Sequence, residues 1–145
     1  MEIYTIGFTK RSAADFFGAL KSNGIRQLVD IRISNTSQLA GFAKKDDLAF
    51  FLTEICGAAY IHEPLLAPTP DLLTAYRKRL INWEAYAGEF LALMSERRIE
   101  QGIDRSLFAD PTVLLCSEPT AVKCHRRLVV EYLAEKWGEL EAVHL

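Results

Sequence analysis

Short apolar runs alternate along the chain with longer stretches in which apolar side chains recur every three or four positions, and this alternation predicts strands separated by helices. Glu2 to Gly7 is β-branched and aromatic and stops at a glycine, as a buried strand does. Beyond the turn Gly7-Phe8-Thr9-Lys10-Arg11, Ser12 is a good N-cap. Ala13, Phe16, Phe17 and Leu20 then keep helical spacing up to Asn23-Gly24, a left-handed C-cap signal. Ile25 to Ile31 reads as a second strand, parallel to the first after a right-handed crossover, with Asp30 and Arg32 at its C-terminal end. Ile33 to Lys45 is too polar for core and reads as a loop long enough to be a lid, anchored by Phe42.

Asp46 to Cys56 carries Leu48, Phe51, Leu52 and Ile55 on one face and ends at Gly57, which predicts a second helix. Ala58 to His62 is a short third strand. Pro64, Pro68 and Pro70 break the chain, with Pro70 suited to the first position of a helix over 71–80. Asn82 caps a further helix from Trp83 to about Gln101, striped by Tyr86, Phe90, Leu93 and Met94. Thr112 to Cys116 is the fourth strand, Thr120 is placed to cap a helix reaching Trp137 and Gly138, and Glu141 to Leu145 leaves room for an edge strand.

This order predicts one α/β domain over residues 1–145. The expected architecture is a three-layer α/β/α sandwich of Rossmann-like type, with a mostly parallel sheet of four to five strands and a helical insert before the fourth strand. A chain of 145 residues buries roughly two thirds of the surface it exposes when unfolded. Half its residues are hydrophobic and a quarter charged, which excludes a disordered or fibrous class. A net charge of -2 and a pI near 5.9 remove any chain-wide attraction to nucleic acid or anionic membrane, so a polyanion must be met locally. The start of the chain lacks a basic lead and a long apolar core, and no run approaches the roughly 20 apolar residues that span a bilayer. Three cysteines suit reduced thiols, and a cytoplasmic location without membrane partners is the expectation.

Reactive side chains concentrate between Cys116 and Arg127, from the end of the fourth strand into the following helix, the usual ligand position in an open α/β sheet. A helix capped by Thr120 puts Cys124 in its first turn, where the dipole and Arg126 or Arg127 favour a thiolate, as a nucleophile or redox thiol; the competing reading is that Cys124 and Cys116 are packed core. The spacing after Cys116 does not fit phosphocysteine phosphatases, because Val122 stands where that motif requires an arginine. The absence of a C-x-x-C pair, and the divergence of Cys124 and His125 on a helix, argue against zinc, even with His62 at the third strand's end. Arg32, Arg126 and Arg127 share one edge of the sheet and suit a phosphate or carboxylate; of the two adjacent arginines one points in and one out. Alternatively Arg32 pairs with Asp30 or Glu118. Asp30 and Glu118 are the candidate acid and base. Lys44-Lys45, Arg77-Lys78-Arg79 and Arg97-Arg98 read as solvated faces.

Several of these pieces together resemble the family known as domain of unknown function 488: Ile3-Tyr4-Thr5-Ile6-Gly7, Asp30-Ile31-Arg32, Gly41-Phe42, Tyr60-Ile61-His62, and above all Cys116-Ser117-Glu118 with Cys124-His125-Arg126. The resemblance spans essentially the whole chain and implies an α/β fold with a site built from the motif positions; it implies no reaction. The chain departs from the family pattern at Phe8, where many members carry histidine, at Asn35, where proline is common, and at Gln38, where arginine is common after Ser37.

The expected function is that of an enzyme or binding protein for a small phosphorylated or nucleotide-like anion held at the strand ends. Cys124, Glu118 and Cys116 are the expected catalytic residues, and Asp30, Arg32, Ser37, His125, Arg126 and His62 the expected ligand-binding residues; no metal or cofactor is called for. The alternative is a nucleic-acid or nucleotide-binding module without catalysis, with the motif residues partly a structural ion network.

Overall fold

The structure is a computed structural model that describes residues 1–35, 41–118 and 120–145. Five strands, β1 (Glu2–Gly7), β2 (Gln27–Asp30), β3 (Ala59–His62), β4 (Thr112–Cys116) and β5 (Glu141–His144), form one sheet in the order β3-β2-β4-β1-β5. Every pairing is parallel. The helices are α1 (Ala13–Ser22), α2 (Lys45–Phe51), α3 (Pro70–Arg77), α4 (Trp83–Arg97), α5 (Ile99–Gly102) and α6 (His125–Trp137).

Period-two alternation along the strands divides the core between two faces. Ile3, Val29, Leu114 and Cys116 pack under Tyr86, Phe90 and Met94 of α4 and Leu128, Val129 and Leu133 of α6. Ile6, Leu28, Val113 and Leu115 pack instead against Phe16, Phe17 and Leu20 of α1 and Leu48 of α2. The result is the three-layer Rossmann-like sandwich that the sequence predicts, with its sheet wholly parallel.

Local chemistry accounts for most element ends. The Ser12 hydroxyl accepts from the Asp15 amide at the start of α1, Thr69 caps α3 through the Leu72 amide with Pro70 at the first position, and Asn82 caps α4 through the Ala85 amide. Other ends are set by tertiary contacts. The second helix is regular only to Phe51 and closes through a π-helical turn, Leu52–Cys56, onto left-handed Gly57. The single helix expected from Trp83 to Gln101 breaks at Arg98, whose left-handed backbone (φ 52°) separates α4 from α5. The largest correction concerns Thr120. It does not cap α6, because residues 120–124 form a turn and Cys124 is the N-cap without any side-chain capping bond. Helix propensity at Thr120 is overridden by burial of Ala121 and Cys124 against the strand end.

Parallel register brings Gly7 level with Cys116, and Asp30 level with Leu115 and His62, so the motif residues of four strands meet at one sheet edge. Gly7 is required there by close approach: a Cβ at this position would fall on the carbonyl of Glu118 and crowd the Arg126 guanidinium. The Ser117 carbonyl also accepts from the Thr9 amide at 3.1 Å, tying the segment after β4 to the turn after β1.

Gly18 has open space around the corresponding position within α1. We therefore expect Gly7→Ala to destabilise by about 1–3 kcal/mol through overpacking and Gly18→Ala to stabilise by about 0.5–1 kcal/mol, both read from urea-unfolding midpoints.

Candidate functional site at the strand ends

The end of β2 is fixed by a buried ion pair. Asp30 is fully buried; its Oδ1 accepts from the Arg32 backbone amide at 3.1 Å and from Nε at 2.8 Å, while Oδ2 accepts from Arg32 Nη2 at 2.7 Å. The Tyr60 hydroxyl donates to the same Oδ2 at 2.6 Å and accepts from Asn35 Nδ2 at 3.0 Å. Burial, and then the adjacent Asp30 carboxylate, push the Tyr60 phenol upward, so it remains a donor. Every side-chain oxygen of Asp30 is thus occupied, and its role is to hold Arg32. That guanidinium also donates to the Ala43 carbonyl at 2.8 Å and lies 5.2 Å from the centre of the Phe8 ring. Phe8, one departure from the family pattern, is a core residue beneath Arg32, and Asn35, another, adds a bond to Tyr60. Ser37 and Gln38 lie outside the described residues.

Two histidines hold the next two carbonyls of the chain. His125 Nε2 donates to the Ile31 carbonyl at 2.9 Å and His62 Nε2 donates to the Arg32 carbonyl at 3.0 Å. A carbonyl only accepts, so each ring donates a proton from Nε2. Burial, with Phe90 packed at 5.6 Å, pushes His125 down to about 4, and it is neutral at physiological pH.

Beyond β4, Cys116 and Cys124 are joined as a disulfide, with their Cα atoms 7.7 Å apart, which corrects the expectation of three reduced thiols: the parallel register and the turn before α6 bring the two sulfurs together. Arg126 is buried beside them, its Nη1 donating to Cys116 Sγ at 3.3 Å and to the Glu118 carbonyl at 2.7 Å. Burial, reinforced by Arg11, lowers its guanidinium to about 10, still charged at pH 7. Arg127 turns outward onto Glu131 at 3.2 Å and the Trp83 ring, so the adjacent arginines divide as their helical spacing predicts.

A cavity of about 500 Å³ opens at this edge. Arg32, Cys116, Ser117 and Glu118 line its strand side, and Lys123, Cys124 and His125 line the approach to α6. Pro68, Pro70, Leu73, Tyr76 and Arg77 from the α3 region and Tyr86 of α4 form the opposite wall. Of the expected site residues, Arg32, Cys116, Glu118, Cys124 and His125 border this space; Asp30, His62 and Arg126 act on its walls from behind. Sequence reading missed Tyr76, Tyr86 and Lys123 as lining residues, had Tyr60 only as a motif residue, and took Arg77 by default as a solvated helix face or else as part of a nucleic-acid surface. The Thr74–Arg77 spacing does place both on one side of a helix, but only the packing of α3 shows which side meets the strand ends.

A wholly parallel sheet covered by helices on both faces, with a polar cavity at its C-terminal edge, defines an open α/β protein of Rossmann-like type. Within that class the chain belongs to the family described as Domain of unknown function DUF488, which it matches over residues 12–133. Comparison with curated proteins and with solved structures gives no match. Among the described residues no helix is long and apolar enough to cross a membrane.

Removing the Asp30 carboxylate leaves Arg32 buried without its partner, and Asp30→Ala is expected to lower stability by about 3–5 kcal/mol in chemical denaturation. His125 gives a pH signature. Its folded value near 4 lies below the ordinary 6.5, so between these limits the unfolded chain binds a proton that the folded chain refuses. The His125 contribution is therefore constant above pH 6.5 and is lost as pH falls towards 4. The stability advantage of the native chain over His125→Gln should shrink across that window in unfolding titrations, and remain level from pH 7 to 8.

Proposed function

We propose that the chain binds a small phosphorylated, nucleotide-like anion in the cavity at the strand ends. The observation that carries this reading is the charge of the lining: Arg32, Arg77 and Lys123 border the space, and Glu118 is the lining carboxylate among the described residues. Arg32 Nη1 is buried without a hydrogen-bond partner among the described residues, a donor that a phosphate oxygen would satisfy. The wall opposite carries aromatic and apolar groups beside Arg77. Tyr76 and Tyr86 lie with ring centres 4.7 Å apart beside Pro68, Pro70 and Leu73, a surface suited to a heterocycle. The cavity volume falls within the roughly 300–1,000 Å³ typical of small-ligand sites.

Cys116, Cys124 and Glu118 border the same space, so a bound ligand has sulfur and carboxylate groups within its enclosure. The exposed run Arg77-Lys78-Arg79 beside the cavity supports a second reading, in which the anion is one phosphate of a nucleic-acid strand.

Thermal-shift titration with a mononucleotide, inorganic phosphate and an uncharged nucleoside tests the proposal. The mononucleotide should raise Tm most, phosphate less and the nucleoside not at all, and Arg77→Ala and Lys123→Ala should each raise Kd about tenfold through loss of a charged hydrogen bond. A shift equal for nucleoside and nucleotide, or none with any probe, overturns it. Affinity for an oligonucleotide that falls with salt at a slope of several charges, while mononucleotides stay inert, favours the strand reading instead.

A further inference from the structure

Arg126 poses an electrostatic problem. It is 1% exposed, charged at neutral pH, and among the described residues no carboxylate lies within 4.0 Å of it. Its partners are a neutral carbonyl and a sulfur, and its Nε has none. A buried cation without a counter-ion is unfavourable, and side chains around it titrate so as to supply one. The Glu118 carboxylate acts on it from beyond 4.0 Å, and the titratable neighbour in direct contact is Cys116, whose sulfur accepts from Nη1 at 3.3 Å; once the disulfide is reduced, a guanidinium at that distance favours thiolate over thiol. The sulfur of Cys124 touches that of Cys116, and both cysteines line the cavity. Cys56, in contrast, lies against the other face of the sheet near the Phe17 carbonyl, and burial pushes its thiol up.

We propose that Cys116 and Cys124 are a redox-active pair that reduces a small peroxide admitted through the cavity, with Cys116, held as thiolate by Arg126, attacking and Cys124 resolving. In the first step the Cys116 sulfur attacks one peroxide oxygen; the S–O bond forms, the O–O bond breaks, and the departing hydroxide takes a proton from solvent to leave as water. In the second, Cys124 sulfur attacks the sulfenic sulfur; the S–S bond forms, the S–O bond breaks, and hydroxide leaves as water with the Cys124 proton. Two thiols lose two electrons and two protons, and hydrogen peroxide becomes two waters. A low-molecular-weight thiol restores the pair. The proposal stands apart from anion binding and does not rest on it.

The full chain, reduced and freed of reductant, is treated with hydrogen peroxide and its remaining thiols counted by maleimide mass labelling. One equivalent should consume two of the three thiols, peptide mapping should place the bond between Cys116 and Cys124, and Cys56 should stay labelled. Cys116→Ser should abolish the fast loss, whereas Cys124→Ser should stop at a sulfenic acid trapped by dimedone. The assignment to Arg126 is read separately, from the pH dependence of iodoacetamide labelling in the Cys56→Ser/Cys124→Ser chain. Its midpoint should fall below the ordinary value of about 8.5 and rise towards it in the added Arg126→Met variant. If that last variant does not fold, the midpoint in the parent chain decides. Three thiols surviving excess peroxide, or a midpoint at or above about 8.5, overturns the proposal.

Discussion

The edge of the sheet that carries the motif depends on one buried guanidinium. Arg126 reaches from the first turn of α6 to the Glu118 carbonyl and the Cys116 sulfur, and it does so over the Cα of Gly7. Three segments distant in sequence, the end of β1, the end of β4 and the start of α6, are thereby held at van der Waals distance. Desolvating an arginine is costly, and here no carboxylate within 4.0 Å among the described residues offsets it. Such an arrangement is more easily understood as serving a site than as stabilising a core, since an apolar side chain of similar volume would fill the same space without the penalty.

Arg32 solves the opposite problem. Its charge is matched by Asp30, and the chain that carries it is pinned by His62 and His125 on consecutive carbonyls. Both histidines spend their Nε2 protons on backbone, so they orient the loop after β2, and His125 is neutral there at physiological pH. The lining arginines and lysine are Arg32, in a fixed position, and Arg77 and Lys123, exposed at the rim. A fixed inner cation with exposed outer ones is the charge arrangement on which the proposed anion binding rests.

The fold was readable from the chain where local signals decide it. Thr112 to Cys116 is an uninterrupted apolar run and forms β4 with those ends, and Ser12 with Asn23-Gly24 brackets α1 as expected. It was unreadable where distant contacts override them. Thr120 is a better capping residue than Cys124, yet the helix begins after Cys124 because the preceding turn is buried against β4. The motif residues were all recognisable as one edge of the sheet. Their division of roles was not: that Asp30 and Arg32 neutralise each other needs the Tyr60 hydroxyl from the neighbouring strand, and that Arg126 lacks such a partner is visible only in three dimensions. Arg77 illustrates the same limit, being exposed as its helical position suggests while still bordering the cavity.

The strand order has a consequence for when the site comes into being. β1 and β2 are never neighbours; β4, more than eighty residues later, is inserted between them and pairs with both. Until β4 arrives, β1 has no partner on that side, and β2 can pair only with β3. The strand that joins the two halves of the sheet is also the one that ends in Cys116 and leads to Glu118, Cys124 and Arg126. Closure of the sheet and assembly of the cavity are therefore a single long-range event, slow by the measure of loop closure. A half-formed sheet carries no half-formed site, and the two sulfurs meet only in a chain whose core is complete.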